Sequence, residues 1–425
     1  MEWAAAQAWC SGKVAFSGIS YYGMVGYWCA MRKPPHLTCV MSYESQCDMY
    51  QASRRGGIYS ANFQEHWFNN IVVPHQRGRA DGTLSDQELR ANRADFNGIL
   101  EKMEYPTEGP WAVFARVRKL SNIDVPMYLA GNWTDPELHL PGNIRAYNGI
   151  ASKQKWLEMH TGNHLGAFYE SDHIEQQKQF LDHFLFDKKD NGMLDVPHIR
   201  LIQHRGSETF YRENEVAFPP PDSEDVSFYI CPSKTLSLTQ PTGTKTPFEY
   251  QGLEGRMKFV LDTPLECSLE LLGSPYLQVD LITDAKDLDL FVYLRAIDQD
   301  GNPVILKGNH GEPMDSFARG FFRLSHRDEI MSEFRETGIL TQPSRPKSDV
   351  VPGNIYAVTV PLFPAAYLFD KGMKIELEIG ATNTASTIPA MRHDKGGRTK
   401  ERFGGRNVIF SHGTLHLPKV NRGRS

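Results

Sequence analysis

Three residues of this chain have the types and the order that acyl-transfer chemistry requires. Ser20 sits in Lys13-Val14-Ala15-Phe16-Ser17-Gly18-Ile19-Ser20-Tyr21-Tyr22-Gly23, where an apolar run enters a serine flanked by glycines and leaves into helix-compatible residues. That pattern describes a sharp strand-to-helix turn that lifts a hydroxyl above a parallel sheet. Asp135 closes Gly131-Asn132-Trp133-Thr134-Asp135 after one strand-like segment, and His164 closes Thr161-Gly162-Asn163-His164 after another. A hydroxyl nucleophile needs a base to take its proton, an acid to orient that base, and donors for the oxyanion. Ser20, His164 and Asp135 fill the first three roles, and the backbone N–H of Tyr21 is the expected oxyanion donor.

Taken singly, each residue has an ordinary explanation. A serine between glycines also marks a tight turn. Asp135 precedes Pro136 and fits a turn or a helix cap. His164 has two competitors, His139 and His160, and His160 is the alternative base because it ends its own strand. The weight lies in the conjunction, since each member ends a separate strand in the order Ser, Asp, His.

These residues need a scaffold, and the flanking segments supply one. Val14–Phe16, Tyr22–Met31 and His36–Tyr43 read as strand, helix and strand, a βαβ unit with parallel pairing. Val125–Ala130 and Trp156–Met159 are further strands, and Ile144–Ile150 and Asp172–Phe186 are helices. Residues from about 45 to 118 lose this regularity, and Ser85–Ala94 and Phe96–Met103 favour helix, as a cap over the active face would. After Asp190-Asn191-Gly192 short strands recur between turns, including Val226–Cys231, Tyr276–Ile282, Leu290–Ile297 and Lys374–Ile379, which suggests an all-β sandwich. The proline run at 219–221 is a credible linker, so residues 1–220 and 221–425 are expected to be separate domains.

Composition excludes several functions. The formal net charge is −5, from 46 basic and 51 acidic residues, which argues against a nucleic-acid binder. Arg392–Arg406, the most basic stretch, is broken by glycines and acids and reads as a solvated loop. No run of about 18 apolar residues is present, so no membrane span is expected, and Met1–Gln7 lacks the marks of a secretory signal. Cys10, Cys29, Cys39, Cys47, Cys231 and Cys267 form no C-x-x-C pair or regular framework, which favours buried thiols and a cytoplasmic protein.

The +2 position after Ser20 is Tyr22 rather than glycine, and Gly-Ile-Ser-Tyr-Tyr-Gly resembles the elbow of the Xaa-Pro dipeptidyl-peptidase and cocaine esterase-like (CocE/NonD) family. Trp9-Cys10-Ser11-Gly12-Lys13-Val14 is similar to that family's W-x-x-G-K-V approach, and Gly131–Asp135 to its G-x-x-x-D acid loop. His164 matches the family's histidine by position alone, because His160-Thr161-Gly162 replaces G-P-W. Phe180–Leu185, Gly273–Tyr276, Asp287–Leu290 and Pro361–Tyr367 resemble later parts of the family pattern.

The resemblance implies an α/β-hydrolase core with a helical cap and a C-terminal jelly-roll domain. It implies hydrolysis of an ester or amide (acyl or dipeptidyl) bond through an acyl-enzyme, with no cofactor and no metal. The partner would be a small-molecule ester, amide or peptide, with homo-oligomers left open. Only 19 residues precede Ser20, so the chain is expected to lack the N-terminal part of that core, including the tyrosine that gives the family its second oxyanion donor. Weak activity, a repurposed small-molecule binder, or a carbohydrate-binding β domain are the competing expectations. A peptidase would need an acidic anchor for the substrate's amino terminus, and Glu44, Asp48 and Glu65 are candidates by location. Tyr22, Trp28, Trp67 and Trp133 are expected to be core residues more than pocket walls.

Overall fold

The computed structural model describes residues 1–60, 62–76, 84–103, 116–212, 215–327, 334, 348–393 and 397–422. Parallel strands lie side by side in the order β1 (Val14–Ile19), β2 (Leu37–Tyr43), β3 (Met127–Asn132), β4 (Lys155–His160) and β5 (Ile199–Arg205). β6 (Glu208–Arg212) turns back antiparallel on β5. Helix α1 (Tyr21–Ala30) follows β1, α2 (Leu140–Gly149) follows β3 and α3 (Ser171–Leu185) follows β4.

Both faces of this sheet are covered, which is why its strands read as apolar runs. Side chains alternate between the faces with a period of two. Val40, Leu129 and Leu157 pack with Tyr27 and Ala30 of α1 and with Leu140 and Ile144 of α2. Cys39, Met41, Tyr128 and Trp156 face the other way, onto Phe180 and Phe184 of α3. Truncating a fully buried aromatic such as Phe180 would cost about 3–5 kcal/mol. Every residue of β3 is buried, whereas β1 is only partly so.

The segment between β2 and β3 holds short helices, as its irregular sequence suggests. Asp86–Ala91 begins with a capping box in which Ser85 and Glu88 satisfy each other's backbone, and Phe96–Lys102 begins at the Asp95 cap. Residues 61, 77–83 and 104–115 of the expected cap lie outside the described residues. Asp48, at the start of this segment, is tied down by Arg116 at 2.7 Å and Arg145 at 2.6 Å.

The C-terminal part is all-β. Glu224–Ile230 pairs antiparallel with Thr414–Lys419, Arg256–Leu261 with Lys374–Gly380, and Asp289–Ile297 with both Lys374–Gly380 and Ala318–Arg323. One large apolar core fills it, including Phe228, Phe259, Leu281, Leu294, Leu377 and Leu415. The two parts share hydrogen-bonded strands, because Ala365–Phe369 pairs parallel with β5.

Boundaries differ from the sequence reading in informative places. α2 starts at Leu140, four residues earlier than expected, because Pro141 falls in its first turn, where a missing N–H costs nothing. At the N-terminus the sequence is helix-compatible over Glu2–Trp9, and the helix covers only Glu2–Ala5. Leu269–Gly273 and Ala318–Arg323 are strands that went unread, and all their residues are buried. Among the described residues no helix is long and apolar enough to cross a membrane.

Candidate active site

The turn after β1 puts Ser20 in a backbone conformation that side chains rarely adopt, with φ 55° and ψ −125°. Such strain persists only where the surroundings enforce it, and it gathers at functional sites. Here the Ser20 N–H donates to the Tyr43 carbonyl at 2.9 Å, and the Ser20 carbonyl accepts from the Met24 N–H at 2.9 Å. The flanking glycines make the turn sterically feasible. A Cβ on Gly18 would lie 2.6 Å from the Tyr22 Cβ, and one on Gly23 would lie 2.8 Å from the Gly18 carbonyl oxygen. The bare Gly18 therefore explains how Tyr22 fits at +2, and the Tyr22 ring itself projects into solvent. Tyr21 is the first residue of α1, at an end whose N–H groups lack helical partners.

Ser20 Oγ is 3.2 Å from Nε2 of His139, not of the expected His164. On its other side, His139 Nδ1 is hydrogen-bonded to Asp135 Oδ2. Asp135 and His139 are i and i+4 in the turn that opens α2, and His139 is that helix's N-cap residue. Both side chains are almost wholly buried, with 1% and 3% exposure, so their hydrogen bond is shielded from water.

His164 stands beside this pair. Its ring is parallel to that of His139, at 5.1 Å between centroids and 4° between planes. Its Nδ1 is 2.7 Å from Oε2 of Glu44, the residue that follows β2. His160, the alternative base, is buried and meets the other oxygen of Glu44 at 3.1 Å. Asn132 Nδ2 also donates to Glu44, at 3.2 Å. Burial opposes charge on Glu44, but the two histidines overcome it and hold the carboxyl down to about 2. Burial likewise disfavours the charged rings of His160 and His164, and Glu44 reverses this and raises both.

Two of the three candidate anchors for a substrate amino group are therefore engaged elsewhere: Glu44 by histidines and Asp48 by Arg116 and Arg145. Glu65 lies on the cap helix Asn62–Trp67. Of the aromatics, Trp133 is core, with its Nε1 donating to the Ile202 carbonyl at 2.7 Å. Trp28 packs on the core beneath α1. Trp67 instead approaches the elbow, with its ring 5.5 Å from that of Tyr21 and 6.3 Å from Phe96.

The model of the X-Pro dipeptidyl-peptidase (S15 family) matches residues 1–166, and that of the X-Pro dipeptidyl-peptidase C-terminal non-catalytic domain matches residues 191–416. The chain belongs to the S15 family. A candidate Xaa-Pro dipeptidyl-peptidase of Rhodopirellula baltica is 20% identical over 412 residues, covering 89% of this S15-family chain. The chain spans 60% of that relative's length. A candidate serine esterase of Mycobacterium bovis is 20% identical over 483 residues, covering 91% of this chain and 73% of its own length. A CocE/NonD family hydrolase of Staphylococcus aureus shares the fold at a TM-score of 0.85 and 23% identity, over 99% of this chain and 74% of that one. The S15 chain thus has the α/β-hydrolase architecture with an appended all-β domain, and it is a member of a serine hydrolase family.

The all-β domain reaches into the site of this S15 chain. Arg319 pairs with the Glu137 carboxylate at 2.6 Å, in the turn between Asp135 and His139. Arg55 donates to the Glu137 carbonyl at 2.8 Å and to the Met391 carbonyl at 3.0 Å. The backbone N–H of His164 donates to the Asn309 carbonyl at 2.8 Å. None of these contacts was legible in the sequence, where their partners lie far apart.

Proposed function

We propose that this chain is a serine acyl hydrolase that cleaves an ester or amide bond through an acyl-enzyme on Ser20. The observation that carries the reading is the continuous hydrogen-bonded path from Ser20 Oγ through the His139 ring to Asp135. Asp135 keeps the proton on Nδ1 of His139, which leaves the Nε2 lone pair facing the serine. Ser20 attacks the acyl carbon as His139 takes its proton, and the same imidazolium then protonates the leaving group. The Tyr21 N–H stabilises the oxyanion from the start of α1. Water, activated by His139, releases the acid and restores Ser20.

A second reading keeps His164 as the base. Its ring is stacked on His139, its side chain is 21% exposed and so nearer to an incoming leaving group, and the Asp135 charge acts on it. Separate His139→Ala and His164→Ala variants discriminate, because loss of the base costs orders of magnitude in kcat whereas loss of a neighbour costs far less.

Engagement of Glu44 and Asp48 favours a broad esterase or amidase over an enzyme that demands a free substrate amino terminus. Hydrolysis of p-nitrophenyl esters against Xaa-Pro p-nitroanilides tests this, and a large preference for the anilides would reverse it. A repurposed binding protein would give neither activity, nor labelling of Ser20 by a fluorophosphonate.

A further inference from the structure

The surroundings of Ser20 hold two carboxylate–histidine pairs where a single triad uses one. Asp135 serves His139, and Glu44 serves His164. One potential ligand atom from each of Glu44, Asp135, His139 and His164 lies within 4.8 Å of the other three. These residues come from the end of β2, the turn after β3, the cap of α2 and the loop after β4, so the carboxyl ends of three neighbouring strands bring them together.

We infer that Glu44, Asp135, His139 and His164 form a binding site for a borderline divalent cation, best fitted by Zn²⁺, whose occupancy switches off Ser20. The inhibitory half rests on the reading of Ser20 and His139 given above, whereas the binding half is independent of it. The donor set decides the class of metal: two imidazoles with two carboxylates suit Zn²⁺, while Mg²⁺ and Ca²⁺ favour all-oxygen shells. A tetrahedral ion with bonds near 2.0–2.2 Å holds its donors roughly 3.3 Å apart, so the present spread closes with side-chain movements of about 1 Å. Two carboxylates and two neutral imidazoles also balance the charge of a dication within a buried site.

The requirements beyond the ligands are met as well. Asn132, donating to Glu44 at 3.2 Å, already orients its carboxylate, as outer residues of metal sites do. The 21% exposed ring of His164 offers an entry path to side chains that are otherwise 1–3% exposed. Cys39 and Cys47 do not compete, since burial pushes both thiols up to about 12.

Inhibition follows from which nitrogen of His139 the ion takes. At Nδ1 it displaces the bond to Asp135 and leaves the ring proton on Nε2, facing Ser20, so no lone pair remains to accept the serine proton. At Nε2 it occupies that lone pair itself. Either way the ring stays neutral: when the ion takes Nδ1 the ring proton moves from Nδ1 to Nε2, when it takes Nε2 the proton stays on Nδ1 against Asp135, and chelation reverses the effect.

The test is titration of the purified chain with Zn²⁺ by calorimetry and with Co²⁺ by visible absorption. The expected result is one equivalent bound by both the parent chain and Ser20→Ala. Kd should rise at least about tenfold in His164→Ala and in Glu44→Gln, and Co²⁺ should give no thiolate charge-transfer band. Ester hydrolysis should fall on adding Zn²⁺ and return with chelator. His164→Ala is the deciding variant should Glu44→Gln fail to fold, because its ring is the more exposed. Absence of saturable binding, an unchanged Kd in His164→Ala, or a thiolate band would each overturn the site. One equivalent bound with these dependencies, alongside hydrolysis that survives Ser20→Ala, would uphold the site while removing the serine mechanism.

Discussion

The Arg319 guanidinium of the all-β domain lies 2.6 Å from the Glu137 carboxylate, two residues beyond Asp135 and two before His139, and both partners are at most 7% exposed. A domain whose family model is described as non-catalytic therefore clamps the turn that presents the proposed acid and base. Breaking a buried pair by removing one partner leaves an uncompensated charge and costs about 3–5 kcal/mol. Arg319→Met should lower thermal stability by that order and reduce kcat more than it raises KM. Arg319→Met with Glu137→Met should recover much of the stability, since the stranded charge is gone. Equal losses in the single and double variants would show that the pair is not the cause.

Gly18 tests the elbow. A methyl group there meets the Tyr22 Cβ at 2.6 Å and the Tyr22 carbonyl carbon at 2.9 Å, so the backbone of the first helical turn has to move. Gly18→Ala should leave the chain folded but cut ester hydrolysis by at least about a hundredfold, because misplacement by about 1 Å is enough for that. Near-normal turnover would mean that the turn is not what positions the hydroxyl.

Acid stability has an identifiable source. Burial pushes His204 down to about 4, and burial together with nearby arginines also holds His393 well below its usual 6.5. Both rings are neutral in the folded chain and take up protons more readily when it unfolds. Their contribution is therefore complete above pH 6.5 and is lost as pH falls below it, for His204 by about pH 4. At pH 5 the His204 share is about 2 kcal/mol. His204→Gln should flatten the fall of Tm between pH 7 and 5, and an identical fall in both proteins would contradict the assignment.

Trp67 packs on Tyr21, the residue that follows Ser20, with ring centroids 5.5 Å apart. Contacts of this kind are worth about 0.5–1.5 kcal/mol beyond the area they bury. Trp67→Ala should lower kcat/KM for aryl-acyl esters by about 2- to 10-fold and barely change acetyl esters. Equal effects on both would assign Trp67 to scaffolding of the cap.

The elbow turn, the parallel strands and the loop carrying Asp135 were legible because local rules govern them: glycines around a tight turn, apolar runs in a covered sheet, and a polar turn at a strand end. His139 was harder to read. It lies four residues from Asp135 in a turn that looked like a connection, because Pro141 obscured where α2 begins. Glu44 seemed available to a substrate until the fold brought His160 and His164 onto it. Arg319 carried no signal, since its role arises only where Ala318–Arg323 packs against a loop about 180 residues earlier in the chain. Long-range pairing of buried charges leaves no periodicity in a sequence.

The central claim is that Ser20 is activated by His139 under the control of Asp135. Fluorophosphonate labelling followed by peptide mass mapping tests it directly, in the parent chain and in Ser20→Ala, His139→Ala and His164→Ala. The account predicts one label on the peptide carrying Ser20, none in Ser20→Ala, a rate reduced by orders of magnitude in His139→Ala, and a much smaller reduction in His164→Ala. Labelling elsewhere, or a His139→Ala rate close to that of the parent chain, would contradict it.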